Sequence, residues 1–143
     1  MIDIGGIGES LRTRIDTDVT DFNTVRYEGD ERDETINNMP YCDVRMLRML
    51  PEVRAGSEYV IEGTYVVTVM AFDFTSRNEA VTLRDALVTL AMNSVKDNPR
   101  FDTDLETSFL GPAEFADAKD DETGAFVALA TFQVNVIVFV DAL

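Results

Sequence analysis

Residues 59–97, YVIEGTYVVTVMAFDFTSRNEAVTLRDALVTLAMNSVKD, decide the fold, because two periodicities meet inside them. From Tyr59 to Phe74 the chain is rich in Val, Tyr, Phe and Thr, which predicts one long strand. Its even positions include Val60, Glu62, Thr64, Val66, Thr68, Met70 and Phe72, and its odd positions Ile61, Gly63, Tyr65, Val67, Val69 and Ala71. Neither set is cleanly polar in the middle, so this strand is central or covered on its second face. The period then changes. Ser76-Arg77-Asn78-Glu79 matches a capping box, and the helix it opens runs to about Asp97, before Asn98-Pro99. The polar stripe of this helix is narrow: Asp85, Thr89, Asn93 and Lys96. Val81, Leu83, Leu87, Val88, Leu90, Ala91, Met92 and Val95 cover more than half its circumference. A helix lying on one sheet needs an apolar stripe only a little wider than ~100°. The excess calls for a second cover, either another subunit or the chain's own first helix.

That first helix is expected at residues 7–18, where Ile7, Leu11, Ile15 and Val19 recur every four residues. Gly5, Gly6 and Gly8 are expected to leave its start flexible. Residues 22–28, with Phe22, Val25 and Tyr27, suggest a short strand, and the acidic run 28–34 an exposed loop. Residues 41–50 alternate in part and read as a strand stopped by Pro51. Toward the other end, Leu105–Phe115 reads as a strand bent at Gly111-Pro112. A charged hairpin tip is expected at 117–124, and a last strand from Ala125 to Val140. Every even position of that strand from Phe126 to Val140 is apolar, while Thr131, Gln133 and Asn135 are polar. One face is therefore core, and the other is wet or meets a polar partner. The expected architecture is a single α+β domain over 1–143: an antiparallel or mixed sheet of four to five strands with two flanking helices.

The net charge is −15, from 27 acidic and 12 basic residues, and only Lys96 and Lys119 are lysines. A field of that sign argues against a nucleic-acid-binding surface and against anionic membranes. It suits solubility, or life at high salt, where a Debye length of roughly 3 Å at 1 M screens self-repulsion. Cys42 is the one cysteine, so no intrachain disulfide forms. Residues 1–6 lack the basic and apolar regions of a signal peptide, and Ala125–Val140 is too short and too polar for a membrane span. The expectation is a protein used inside a cell or packed into a particle there.

Catalytic chemistry finds little to stand on. With no histidine there is no base for a Ser–His or Cys–His pair. Cys42, in an expected strand, reads as a structural thiol, and Gly5-Gly6-Ile7-Gly8 lacks the Lys-Ser/Thr of a phosphate loop. No enzyme activity and no cofactor are expected. The remaining candidates are carboxylates. Asp102, Asp104 and Glu106 alternate, so on a strand they would share one face and are placed to hold Ca²⁺ or Mg²⁺. Asp117, Asp120, Asp121 and Glu122 offer the same at the hairpin tip; a solvated face accounts for either group. Arg84, inside the apolar arc of the second helix, either snorkels to water or pairs with an acid of a neighbour.

Three stretches carry a likeness: RNEAVTLRDALVTLAMNSVKDNPRF (77–101), DLETSFLGPAEFADAKDDETG (104–124) and AFVALATFQVNVIVFV (125–140). Their order and texture, over about residues 58–143 with the early helix, resemble the tail terminator (tail completion) proteins of long-tailed viruses. The resemblance implies a virion structural protein: a homo-oligomeric ring, usually of six subunits, that caps the tail tube and joins the tail to the neck. The implied partners are further copies of the chain, the tail tube protein and a neck or connector protein, with DNA passing through unbound. It implies no catalytic residues, and the low lysine content adds a halophilic host. A neck or head–tail connector is the near alternative, and a small-molecule or cation-binding α+β domain the alternative of another class. The surfaces expected to meet neighbours are Arg84, Val88 and Met92 on the second helix, Asp30 and Glu31 in the acidic loop, and Asp120, Asp121 and Glu122 at the tip.

Overall fold

The structure is a computed structural model that describes residues 3–29, 36–54 and 58–139. Helix α1 (Ile4–Asp18) leads to a short strand β1 (Thr24–Tyr27), then to β2 (Tyr41–Arg54) and β3 (Glu58–Asp73). Helix α2 (Arg77–Asp97) follows, and β4 (Leu105–Lys119) and β5 (Phe126–Phe139) complete the order. The five strands form one mixed sheet in the order β1-β2-β3-β5-β4, in which β1 is parallel to β2 and every other pair is antiparallel. This is the α+β arrangement expected from the alternation of periods: helix, strands, helix, two strands.

Both helices lie on one face of the sheet, α1 over β1 and β2, α2 over β3, β5 and β4. The register selects the residues beneath them. Tyr65, Val67 and Val69 of β3 stand opposite Val134, Phe132 and Ala130 of β5, and all six are fully buried. The stripe Ile7, Leu11, Ile15 and Val19 closes the same core from α1. Each such side chain contributes roughly 1.5–3 kcal/mol by leaving water, so the core rests on the alternation already visible in the sequence.

Local chemistry sets the helix ends. Ser76 Oγ accepts from the Glu79 amide at 3.3 Å, the capping contact expected from S-x-x-E. Just before it, Asp73 Oδ1 accepts from the Thr75 amide, the Thr75 hydroxyl and the Ser76 amide. These three donors hold the Asp73 carboxyl below the usual carboxylate range. Helix α1 begins earlier than its glycines suggested. Asp3 caps it by accepting from Gly6 N at 2.8 Å, and the Tyr65 hydroxyl donates to the Ile4 carbonyl at 2.9 Å. Gly8 is a packing position, since a Cβ there would meet the Tyr27 ring at 2.2 Å.

Two other boundaries differ from the sequence reading. β2 continues through Pro51 to Arg54. Because β1 pairs with Tyr41–Val44 alone, the far half of β2 is an edge, where a missing N–H costs no ladder bond. β4 runs to Lys119, paired with Phe126, so Asp117 is a strand residue and the tip is shorter than expected. The kink at Gly111-Pro112 is present as a register shift between Leu110 and Ala113.

Candidate interaction surfaces

The face of the sheet turned away from the helices carries no second layer among the described residues. The β3–β5 register builds its centre: Thr64 faces Asn135, Val66 faces Gln133, Thr68 faces Thr131, Met70 faces Leu129, and Phe72 faces Val127. Thr64 Oγ1 donates to Asn135 Oδ1 at 2.9 Å. None of these ten residues is ionisable, although the chain carries 27 acids. Around them lie Glu62, Glu114 and Asp43 on the acidic side and Arg26, Arg45 and Arg48 on the basic side. Asp43 is 2% exposed and neutralised in place, 3.2 Å from Arg26 Nε and 2.6 Å from Arg45 Nε. It also accepts from the Gly29 amide at 3.0 Å. A buried carboxylate persists when its oxygens are paired and hydrogen-bonded in this way. Among the described side chains, the helix-free face is thus charge-balanced and half apolar, with Leu50 and Phe109 exposed on its margins.

Helix α2 supplies a second surface, on the opposite side of the molecule. Of the residues expected there, Val88 is 4% exposed and inside the chain's own core, and Met92 packs against that core half-buried. Part of the cover is α1, whose Asp18 Oδ2 accepts from Ser94 Oγ at 2.7 Å. Arg84 takes neither route expected for it. At 7% exposure, its Nη1 donates to the Ala116 carbonyl at 3.1 Å and its Nε to Asp85 Oδ1 at 3.0 Å. Its guanidinium carbon sits 5.0 Å from the centre of the Phe115 ring. The arginine therefore joins α2 to β4 within one chain, where cation–π attraction gains from partial desolvation. What stays exposed is Leu83 (37%) and Leu90 (42%), seven residues apart on one face, with Thr82, Ala86, Thr89 and Asn93 around them. These two leucines belong to the overwide apolar arc; the sequence could not say which part of that arc the fold leaves open.

The hairpin tip is a self-contained turn. Asp120 Oδ2 accepts from Thr123 Oγ1 at 2.7 Å, its Oδ1 accepts from the Glu122 amide, and Gly124 turns the chain at φ 72°. Asp121 and Glu122 are exposed. Asp117 instead binds Arg77 through two hydrogen bonds of 2.6 and 2.8 Å, which hold its carboxyl below the usual range. Next to the tip, a cleft of about 570 Å³ opens between Asn37, Met39, Met70, Phe74, Lys119 and Glu122. Asp30 and Glu31 lie outside the described residues.

The alternating acids do not share a strand face. Asp102 and Asp104 precede β4 in a turn, and only Glu106 is on the strand. Asp102 uses both oxygens within the fold: Oδ2 accepts from Ser10 Oγ at 2.6 Å and Oδ1 from the Asp104 amide at 2.9 Å. It ties α1 to the start of β4, and no group of three potential ligands converges among the described residues. Cys42 is buried on the core face, and burial pushes its thiol up, away from the thiolate that nucleophilic chemistry needs.

No helix among the described residues is long and apolar enough to cross a membrane. Comparison with known proteins finds no matching family model and no matching curated sequence.

Proposed function

We propose that this chain is a virion structural subunit, a tail terminator that closes into a ring with its own copies, caps the tail tube and joins it to the neck. The observation that carries the reading is the helix-free face of the sheet. Half-apolar and charge-balanced in a chain of −15, it has the composition of an interface core, where charged residues are depleted and apolar ones enriched. The element order, helix, strands, helix, two strands, supports the same family. The role is assembly rather than catalysis. The acidic, lysine-poor composition supports a host that lives at high salt.

Negative-stain microscopy and sedimentation velocity in molar KCl, with and without isolated tail tubes, test the reading. Closed rings, or subunits seated on tube ends, are the expected result. A strict monomer that ignores tube ends at high concentration overturns it. Antibody label on intact virions found at the head side of the neck would make the chain a connector instead.

A further inference from the structure

We propose that the sheet carries, at its Thr64–Asn135 end, a binding site for a free α-amino acid with an apolar side chain. A pocket of about 150 Å³ lies there, bounded by Arg48, Leu50, Glu62, Phe109 and Ile137. The register builds it. Arg48 of β2 stands opposite Thr64 of β3, Thr64 opposite Asn135 of β5, and Asn135 opposite Phe109 of β4. The next row on the same face brings Leu50, Glu62 and Ile137 together. Among the described residues, the polar groups of this pocket are ones the fold leaves unused. Arg12, Arg14, Arg26, Arg45, Arg77 and Arg84 each hold an acid of their own chain. Arg48 holds no described acid, in a chain with 27 of them. Glu62, its diagonal neighbour across β2 and β3, takes no described cation. Asn135 gives its Oδ1 to the Thr64 hydroxyl at 2.9 Å, and its Nδ2 keeps its N–H donors. Gly111 leaves that amide uncovered, since a Cβ there would sit 2.7 Å from Nδ2.

These groups define the ligand. A guanidinium fork beside an amide donor binds a carboxylate. The Glu62 carboxylate repels that same ligand unless the ligand also carries an ammonium. The net charge makes the same choice: a chain at −15 repels a simple anion as a whole, and a zwitterion escapes that penalty. Leu50 and Phe109, each 52% exposed, and Ile137 offer apolar walls for a side chain. The volume keeps the ligand small, since sites for drug-sized molecules span ~300–1,000 Å³. A carboxylate and an ammonium on one carbon, with one apolar side chain, is an α-amino acid such as leucine or valine. The site is complete within one copy and stands apart from the assembly reading.

Titration calorimetry and amide-shift NMR on the full chain test this, with L-leucine, leucinamide and N-acetylleucine as probes. L-Leucine should bind saturably in the millimolar range and move the amide signals of Thr64, Phe109 and Asn135. Leucinamide lacks the carboxylate and N-acetylleucine lacks the ammonium, so each should bind more weakly by about tenfold or more. Arg48→Gln and Glu62→Gln change exposed side chains, so melting should hold while leucine affinity falls by a similar factor. Absence of saturable leucine binding up to its solubility overturns the inference. So does N-acetylleucine binding as tightly as leucine, which means a plain carboxylate site. Leucine binding that both substitutions leave intact also overturns it, because the ligand then sits elsewhere on the chain.

Discussion

The Tyr65 hydroxyl donates to the carbonyl of Ile4 at 2.9 Å, so the central strand of the sheet holds the first turn of the first helix. The bond crosses the core from β3 and fixes where α1 begins. Removing the hydroxyl leaves the Ile4 carbonyl without this donor, and a typical net cost is about 0.5–1.5 kcal/mol. Tyr65→Phe should therefore lower stability by that amount in a urea titration without changing the slope. Added amide exchange should appear first in residues 4–8.

Two glycines of α1 should respond in opposite directions to the same change. At Gly5 a Cβ meets nothing nearer than Asp3 Oδ1 at 3.8 Å, while at Gly8 it would sit 2.2 Å from the Tyr27 ring. Gly5→Ala should stabilise by up to about 1 kcal/mol through helix propensity. Gly8→Ala gains the same propensity but must displace a packed ring, and overpacking costs about 1–3 kcal/mol. The net loss at Gly8 and gain at Gly5 are readable as opposite shifts of melting temperature.

Acid should weaken the start of α2. The carboxyls of Asp73 and Asp117 are both held below their ordinary value, the first by Thr75 and Ser76 donors and the second by Arg77. A lowered carboxyl stabilises the fold above its unfolded value, and that contribution is lost as pH falls through the lowered one. Asp117→Asn should flatten the acid limb of the stability profile below about pH 4. It should change little at pH 7, because an exposed ion pair is worth little there.

The alkaline limb has the opposite sign. Burial raises the Cys42 thiol, so above about pH 8.5 the unfolded chain loses a proton that the folded chain keeps. Stability should fall by at most about 1.4 kcal/mol per pH unit from this group. Cys42→Ala should remove that slope until the buried Tyr65 takes over. Iodoacetamide should modify Cys42 no faster than the protein unfolds.

Salt should stabilise. Screening weakens the attraction in the pairs Arg77–Asp117 and Arg12–Glu9, but at a net charge of −15 it relieves more repulsion than it removes attraction. Melting temperature should rise from low salt to molar KCl, and a flat or falling curve would exclude this balance.

The two long helices and the strands of the second half were legible in the sequence, because their signals are local. The four-residue spacing from Ile7 to Val19, the Ser76–Glu79 cap and the alternation from Phe126 onward need no distant partner. The same alternation announced that the last strand has a polar face. Where local signals mislead, the cause is a distant neighbour. Pro51 does not stop β2, since nothing pairs with that edge beyond Val44 among the described residues. The glycines near residue 6 do not delay the start of α1, since Asp3 caps it and Tyr65 and Tyr27 pack around it.

The sequence by itself determined that this is an acidic α+β domain with a helix more apolar than one sheet requires. Only the tertiary structure decided which part of that excess stays in water. Arg84 is turned inward by Phe115 and Ala116, Val88 is sealed in the core, and Leu83 and Leu90 are left outside. It also decided that the uncharged residues of two strands distant in sequence, β3 and β5, meet as one surface. Periodicity along a chain fixes which residues share a face. Which faces meet, and which remain bare, depends on contacts between residues far apart in sequence, and no local pattern records those.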